Sequence, residues 1–438
     1  MTSSSAENVN STSASEAAAL SDAHPASDNA HHATNTEWAI SLFGTAVGAG
    51  ILFLPINAGS FGFWPLVIAT LLIGPMTYFS HRGLARMICA SPRQGDDITE
   101  VVTDYFGKTA GFVISILYFL AIFPIVLIYG VSITNTVNSF IVNQLNGPEI
   151  PRPFLSFLLV GIMTVVFGFG QKMVLKVTQF LVYPLIFCLG ALSLYLIPCW
   201  DFDSFASTGN ADWSIVGSVA LIIPVLVFAF NHSPAISQFS LAMVAAHGKE
   251  KSSGNASRAL ALTAILLTVF TMFFVWSCTL ALGADGLAEA REQNLPVLSY
   301  LANVTGVPVL AFVSPFIAIV AIVSSYFGHV LGATEGGNYL LRRIAPGATQ
   351  NFSQAKLNGI MHFFIFVCAW IVAIIDPSIL GLIEAIGGPF IAAILYLLPM
   401  YAIHKIPGLA RFRNRFSNYF VVITGLVAVG AAIWGIFN

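Results

Sequence analysis

Long apolar runs, separated by short polar stretches, repeat along almost the whole chain after its first 36 residues. A run of about 20 apolar residues is long enough to cross a hydrocarbon core of roughly 30 Å as a helix. The pattern therefore predicts an all-α, polytopic membrane protein. Its eleven predicted transmembrane helices cover residues 37–58, 62–88, 110–145, 153–170, 174–198, 212–240, 257–283, 308–342, 356–375, 378–403 and 417–437.

The composition points to the same class of protein. The chain has 438 residues, is 57% hydrophobic and 9% charged, and cannot bury that much apolar surface in one aqueous core. Residues 1–36 differ from the rest, because they are rich in Ser, Ala and Asn and contain no Lys or Arg. We interpret them as a disordered cytoplasmic tail. The five cysteines have no CxxC spacing, so neither a zinc site nor a disulfide framework is indicated.

The basic residues predict the orientation of the spans. With a cytoplasmic N-terminus, 16 of the 18 Lys and Arg residues fall in inside connections, and only Arg152 and Arg291 fall outside. Basic residues accumulate on the cytoplasmic side of membrane proteins. Because the number of spans is odd, the C-terminus is expected on the external side.

The lengths of the spans predict two related halves. In each half the third span is the longest, at 110–145 and at 308–342, and a connection of amphipathic helical character precedes it. The charge rule places these two connections on opposite sides, so the halves are inverted relative to each other. The predicted transporter core is 37–403, with repeat one over 37–198 and repeat two over 212–403, and 417–437 is one additional helix.

Each predicted half begins with an interrupted helix. The first interruption is "GTAVGAGILFLP", Gly44 to Pro55, and the second is "FAFNHSPAIS", Phe228 to Ser237. Paired interruptions in matching positions of inverted halves indicate a transporter binding site near the bilayer midplane. The competing interpretation is that the glycines only allow close helix packing and that the proline only kinks its helix.

Broken helices in a membrane expose backbone groups that need polar partners. Free amides and a positive helix end around Ala49 and Gly50 suit a carboxylate. Free carbonyls of Gly44 and Val47 suit a cation or an ammonium group. At the second interruption, Asn231, His232 and Ser233 offer donors and acceptors at little charge, and His232 is a candidate either for a proton or for a substrate hydroxyl.

Several longer motifs identify a family resemblance. The stretches "GTAVGAGILFLPINAG", "PMTYFSHRGLARM", "DDITEVV", "ITNTVNSF", "FNHSP" and "PMYAIHKIP" resemble the serine and threonine branch of the bacterial hydroxy and aromatic amino acid permeases, from about Glu37 to the C-terminus. That family is similar in architecture to the bacterial leucine transporter, with five plus five inverted helices, here with an eleventh. The resemblance implies a cation-coupled importer of L-serine, with L-threonine as a further substrate, in the bacterial cytoplasmic (inner) membrane.

The resemblance also implies a set of site residues. The leucine transporter motif "GNAVGLG" matches "GTAVGAG" here, so that Thr45, Ala46, Gly48 and Gly50 would line the substrate carboxylate. Gly44 and Val47 would face the cation through their carbonyls. The partner pattern on the eighth helix matches "AIVSS", which would supply Ala321, Ser324 and Ser325. Five oxygen ligands suit sodium.

The sequence leaves two candidates for the coupling ion, sodium and a proton. Proton-coupled members of the family resemble this chain but carry Lys where Ser324 stands, and for that reason we favour Na⁺ over H⁺. The alternative is that both serines bond their own helix backbone. Tyr129 and Asn135 are candidates for the pocket wall, with packing as the favoured role, and Glu335 and Glu384 are candidate proton carriers if sodium is wrong.

The sequence thus predicts a secondary transporter without cofactors, catalytic residues or a nucleic-acid partner, whose partners are a small hydroxy amino acid and membrane lipid. The main alternative is a proton-coupled permease for threonine or an aromatic amino acid, and a channel is less favoured. No P-loop and no HExxH motif is present, which argues against an ATP-driven pump and an embedded metalloenzyme. The oligomeric state is left open.

Overall fold

The computed structural model describes residues 34–92, 97–202 and 215–437. Every regular element in these ranges is a helix, which confirms the all-α class. The α-helices are α1 (Asn35–Ala46), α2 (Ala49–Gly59), α3 (Phe63–Cys89), α4 (Ile98–Ser139), α5 (Arg152–Val165), α6 (Gln171–Tyr195), α7 (Ile215–Ala229), α8 (Ser233–Glu292), α9 (Val297–Val304), α10 (Pro308–Ile344), α11 (Pro346–Thr349), α12 (Gln354–Ile375), α13 (Ile379–Leu382), α14 (Gly388–Ile391), α15 (Leu398–Lys405) and α16 (Phe416–Phe437).

Turns of other helical types extend several of these elements. Five-residue and six-residue π-helical turns cover Phe140–Gln144, Ile383–Gly387 and Ala392–Leu397, and 3₁₀ turns cover Val166–Phe169, Ile197–Cys199 and Pro407–Phe412. Three parts of the predictions lie outside the described ranges. These are residues 1–33 of the predicted tail, Asp96 in the first helical connection, and 212–214 of the predicted sixth span.

The number of spans in the described ranges differs from the prediction. Nine helices are long and apolar enough to cross a membrane, and ten when α1 and α2 count as one bent span. Two elements account for the difference from eleven. The described part of α7 has 15 residues, and α8 counts as one helix although its backbone is non-helical at Gly248 (φ 69°, ψ 162°), inside the predicted connection 241–256. Helical turns lie on both sides of that kink. The figure of eleven and the 5+5 inverted repeat stay predictions.

The two long predicted spans are long in the structure. α4 with its π-turn covers Ile98–Gln144, 47 residues, and α10 covers 37. The predicted helical connections precede the two spans: the first is the part of α4 before Gly107, and the second is the end of α8 with α9. α4 bends at Gly107 (φ 82°), which separates its first turns from the long span, and α8 bends at Gly283 (φ 63°) ahead of α9. Both bends use a left-handed backbone that glycine adopts readily.

The core lies around α2, α7, the start of α8 and the middle of α10. Every residue of α2 is buried. In the most apolar window of α10, 61% of residues are buried, against 22% for α12, whose Phe363, Ile371 and Ile375 are exposed to the surroundings. An apolar side chain that is exposed on such a helix is suited to lipid contact. The interrupted helices therefore lie in the protein interior, where unpaired backbone groups are tolerated.

Candidate functional site

The first interruption is a real break between two helices. α1 ends at Ala46 and α2 begins at Ala49, and their axes differ by 61°. Between them Val47 and Gly48 are non-helical, and Gly48 has an extended backbone (φ −155°, ψ −150°). We call Val47–Gly48 the first break. All of the predicted residues from Gly44 to Gly50 are buried.

The first break leaves two backbone carbonyls outside the helical hydrogen-bond pattern. The amides of Ile51 and Leu52 in α2 donate to the carbonyl of Gly48 (3.1 and 3.3 Å). In the described ranges, none of the turn and loop bonds reaches the carbonyls of Gly44 and Val47. A buried, unpaired backbone group is unfavourable by about 1–3 kcal/mol, so these two carbonyls are candidate contacts for a polar ligand.

α10 and α4 meet the first break directly. The Ser325 hydroxyl donates to the carbonyl of Thr45 at 2.7 Å, and its oxygen lies 2.7 Å from the Tyr129 hydroxyl. Gly48 packs so closely against both that a Cβ there would lie 2.5 Å from Ser325 Cβ and 2.9 Å from Tyr129 Oη. Glycine at position 48 is therefore required by close approach.

The second interruption is also a real break. α7 ends at Ala229 and α8 begins at Ser233, and we call Phe230–His232 the second break. Asn231, His232 and Ser233 are all buried. Asn231 Oδ1 accepts from the amide of Ser233 (3.1 Å), and His232 Nδ1 lies 3.1 Å from the carbonyl of Phe230. Because a carbonyl only accepts, Nδ1 carries the proton and Nε2 is the acceptor in neutral His232.

Two side-chain atoms at the second break are buried without a partner among the described residues: Asn231 Nδ2, a donor, and His232 Nε2, the acceptor. Unsatisfied buried polar atoms are uncommon in folded proteins, and each needs a reason. A ligand that offers one acceptor and one donor would satisfy both.

The two breaks lie next to each other. A Cβ on Gly50, in the first turn of α2, would lie 2.7 Å from the Cα of Ala229, the last residue of α7. The Phe228 ring also packs on Gly50, and its other edge packs on Gly387 in the π-turn after α13, where a Cβ would lie 2.6 Å from Phe228 Cδ2. These close approaches show that Gly48 and Gly50 do allow tight packing, but packing alone does not account for the non-helical backbone at Gly48.

The predicted ion ligands on α10 separate into two environments. Ala321, Ser324 and Ser325 are fully buried. Ser325 faces the first break, whereas the Ser324 hydroxyl donates to the carbonyl of Ala321 in its own helix at 3.1 Å. Ser325 reaches the carbonyl of Thr45, which was not among the predicted ligands. The Thr45 hydroxyl, in turn, bonds the carbonyl of Ser41 within α1.

Two residues of this region were missed or underrated by the sequence analysis. Tyr129 was assigned a packing role, but its hydroxyl reaches Ser325 and Gly48. His81 on α3 was not singled out, although its ring stacks on His232 with centroids 3.5 Å apart. The sequence did contain a signal for His81, since it is a histidine inside the predicted span 62–88. An ionisable residue at membrane depth is a candidate functional residue by default.

These features define a class of protein. A helical membrane protein whose two interrupted helices meet in its interior has the arrangement of a secondary transporter. The chain belongs to the tryptophan/tyrosine permease family, whose model matches residues 37–434. Its membership in a permease family makes it a transporter and not an enzyme.

Two relatives are similar over nearly their whole length. The serine transporter SdaC of Escherichia coli (strain K12) is 47% identical over 421 residues, which cover 94% of this chain and 97% of the relative. The threonine/serine transporter TdcC of Yersinia enterocolitica is 43% identical over 416 residues, which cover 90% of this chain and 94% of that protein. These comparisons confirm the family resemblance and support amino acid transport.

Two solved structures are similar in fold. MhsT in complex with L-phenylalanine matches with a TM-score of 0.57 at 15% identity, over 91% of this chain and 97% of its own. Mhp1, a nucleobase-cation-symport-1 family transporter in a closed conformation with bromovinylhydantoin bound, matches with a TM-score of 0.56 at 13% identity, over 92% of both chains. At these identities the similarity shows the fold alone.

Proposed function

We propose that the protein imports L-serine, and L-threonine as a second substrate, together with one cation. The observation that carries this proposal is the contact between the two breaks, which brings the start of α2 next to the unpartnered atoms Asn231 Nδ2 and His232 Nε2. Buried polar groups of both kinds would suit a ligand of mixed charge. The names of the relatives SdaC and TdcC support serine and threonine as the substrates. The further candidates, a channel and an aromatic amino acid permease, have no comparable support in the site.

The substrate carboxylate is proposed to bind the amides of Ala49 and Gly50. These amides begin α2, where the partial positive charge of the helix end also favours an anion. The Tyr129 hydroxyl lies beside Gly48 and donates its hydrogen to Ser325, whose own hydrogen goes to the Thr45 carbonyl, so Tyr129 closes this side of the first break and is not a carboxylate donor in this arrangement. Thr45, Ala46 and Gly48 complete the proposed carboxylate subsite. No arginine is needed to bind the carboxylate.

The substrate hydroxyl is proposed to bind at the second break. A hydroxyl accepts from one donor and donates to one acceptor, and Asn231 Nδ2 and His232 Nε2 supply that pair. Ser233 begins the following helix and completes this subsite. The Phe228 ring fills the space beside Gly50, which favours a small side chain over an aromatic one. A site that hydrogen-bonds a substrate hydroxyl discriminates strongly against an analogue without one.

The cation is proposed to be sodium, bound by the carbonyls of Gly44 and Val47 with Ala321, Ser324 and Ser325. The two carbonyls of the first break are free, and Ser325 already faces it. The Ser324 hydroxyl donates its hydrogen to the Ala321 carbonyl, and its oxygen lone pairs remain available for the ion. One positive charge that crosses 100 mV releases about 2.3 kcal/mol, which supports roughly fiftyfold accumulation.

The test is uptake of radiolabelled L-serine by the purified protein in proteoliposomes, with sodium and proton gradients imposed separately. We expect saturable uptake driven by sodium. Uptake that ignores sodium but responds to an acidic exterior would overturn the ion assignment and would favour the proton-coupled alternative. Flux that does not saturate would indicate a channel, and chemical conversion of the amino acid would indicate an enzyme.

A pair of variants sharpens this test. Ser324→Ala is expected to weaken the sodium dependence of uptake. Ser257→Ala is the matched control, because the Ser257 hydroxyl also bonds its own helix, at the carbonyl of Ser253, but belongs to the middle of α8. Sodium dependence that is the same in both variants and in the parent protein would count against Ser324 as a ligand.

We further propose the bacterial cytoplasmic membrane as the location, with the N-terminus inside and the C-terminus outside. The support is the distribution of basic residues along the chain. Modification of a cysteine added at the C-terminus by a membrane-impermeant reagent in whole cells tests the orientation. Protection of that cysteine in whole cells, with reaction only after lysis, would reverse it.

A further inference from the structure

The stacked pair His81–His232 joins α3 to the second break. The two rings are nearly parallel, with an interplanar angle of 5° and centroids 3.5 Å apart, and both side chains are about 1% exposed. The backbone amide of His232 donates to His81 Nε2 at 3.2 Å. This bond caps the start of α8, since the first amides of a helix have no partner inside it.

The His81 ring makes three hydrogen-bond contacts, with the amide of His232, the carbonyl of Thr77 and, at 3.3 Å, the Ser80 hydroxyl. The amide and the carbonyl fix its tautomer, because the one only donates and the other only accepts. Nε2 accepts a peptide N–H and is therefore unprotonated. Nδ1 lies 2.8 Å from the carbonyl of Thr77 and so carries the hydrogen. The single lone pair of Nε2 is thus already in use. It binds either the amide of His232 or a proton, but not both.

We propose that His81 binds a proton at Nε2, and that this proton and the hydrogen bond from the His232 amide exclude each other. A proton on Nε2 removes the acceptor of the His232 amide, and the positive charge would lie against a second imidazole in a buried site, which disfavours it there. A conformation in which the break opens and water reaches the ring admits the proton. By linkage, acidification shifts the population toward that open conformation.

The surroundings of the pair contain no carboxylate that would hold a charged histidine in place, as judged from the described residues. Arg82, next in the chain, donates instead to Tyr78 and Ser417. α2, α7 and the first 14 residues of α8 contain no titratable side chain. The other titratable groups on α3 and on the shorter elements packed against it are Arg86 and Cys89 on α3, Tyr396, which interacts with Ser80, Tyr419 on α16, and the exposed Tyr401, His404 and Lys405 on α15. Further along α8, which also packs against α3, the titratable groups are His247, Lys249, Glu250, Lys251, Arg258, Cys278, Asp285, Glu289, Arg291 and Glu292.

Opening of the second break is expected to depend strongly on pH. If His81 has an ordinary pKa of about 6.5 in the open conformation and is unprotonated in the capped one, opening is favoured about thirtyfold more at pH 5 than at pH 8. Only one consequence rests on the proposed function, namely that opening of the second break takes part in transport. The opening itself is a property of the protein without substrate.

Hydrogen–deuterium exchange of the full-length protein in lipid nanodiscs tests this without any substrate. The exchange of a peptide covering 228–237 is measured between pH 5 and pH 8 and corrected for the intrinsic exchange rate. We expect protection of the His232 amide to fall about thirtyfold at the acidic end in the unmodified protein. His81→Gln keeps an acceptor oxygen but does not titrate, so its protection should be nearly independent of pH. Unchanged protection in the unmodified protein, or a full acidic loss in His81→Gln, would overturn the proposal.

Two further variants keep the result interpretable. His362→Gln is the matched control, because His362 is a half-buried histidine of α12 that packs on Phe167, and it should respond like the unmodified protein. His232→Ala keeps the backbone amide and should retain the response, even if substrate binding is lost. A lost response in His232→Ala would contradict the assignment to His81. If serine uptake fails in the unmodified protein while its exchange responds to pH, the transport proposal fails and this one stands.

Discussion

Gly48→Ala is the sharpest single test of the first break. A methyl group there would lie 2.5 Å from Ser325 Cβ, 2.6 Å from Ser325 Oγ and 2.9 Å from Tyr129 Oη. Ordinary carbon contacts are about 3.5–4.0 Å, so the overlap with Ser325 Cβ is roughly 1 Å. Ser325 Cβ is fixed to the backbone of α10 and cannot rotate away. Either the break or α10 must move.

The expected magnitude follows from that geometry. Forcing one extra methyl group into a tightly packed interior is unfavourable by about 1–3 kcal/mol. If the cost falls on the conformation that binds substrate, the population of that conformation falls by about 5- to 150-fold. We therefore expect L-serine affinity in proteoliposomes to fall within that range, measured as the KM of uptake and by equilibrium binding.

The control is Gly359→Ala, the same chemical change on the exposed face of α12, where a Cβ meets nothing within 4 Å. It should leave uptake unchanged, and it removes an unfavourable helical glycine worth about 1 kcal/mol. Size-exclusion profiles of both variants report whether folding is intact. A Gly48→Ala protein that folds and retains the KM of the parent would refute the reasoning, because the first break would then accommodate a methyl group beside Ser325 and Tyr129.

Two further predictions concern stability. Ser325→Ala leaves the Thr45 carbonyl and the Tyr129 hydroxyl without their shared partner and should lower the free energy of unfolding by about 1–3 kcal/mol. Ser324→Ala loses only a bond within its own helix and should lower the free energy of unfolding by less than about 1 kcal/mol. Equal shifts in the thermal unfolding of the two ligand-free variants would contradict this. Arg152 and Asp376 form an ion pair at 2.8 Å, and the double-mutant cycle of Arg152→Gln and Asp376→Asn should give a coupling of about 0.5–2 kcal/mol in the same assay, where strictly additive effects would show that the pair is not coupled.

The sequence predicted the two breaks because their signals are local. Three glycines and a proline in one apolar run, and "NHSP" in another, mark positions where a helix is weak, and the structure interrupts both helices there. The predicted connection 241–256 contains the non-helical kink at Gly248, with helical turns on both sides of it, because hydropathy detects where lipid ends and not where helical hydrogen bonding ends. The amphipathic segments ahead of the two long spans, which are the first turns of α4 and the end of α8 with α9, were recognised because their polar faces repeat at the helical period.

The contacts across the site could not be derived in the same way. "AIVSS" offers two adjacent hydroxyls about 100° apart around one helix, so only one can face the first break, and the rotation of α10 that selects Ser325 is set by packing. His81 and His232 are 151 positions apart in the chain, and no periodicity links them. Their stacking depends on how α3 packs against the start of α8.

Asp376 joins several segments through one atom. Its Oδ1 pairs with Arg152 at the start of α5 and accepts from Asn135 of α4 and from Asn294 between α8 and α9, both at 3.1 Å. Asp376 itself has a left-handed backbone at the end of α12. Arg152 contributes an ion pair at 2.8 Å, and the two asparagines donate hydrogen bonds. Because one oxygen serves all three side chains, a displacement of Asp376 changes its contacts with α4, with α5 and with the α8–α9 connection at the same time, so a movement at the end of α12 is expected to be felt by all three.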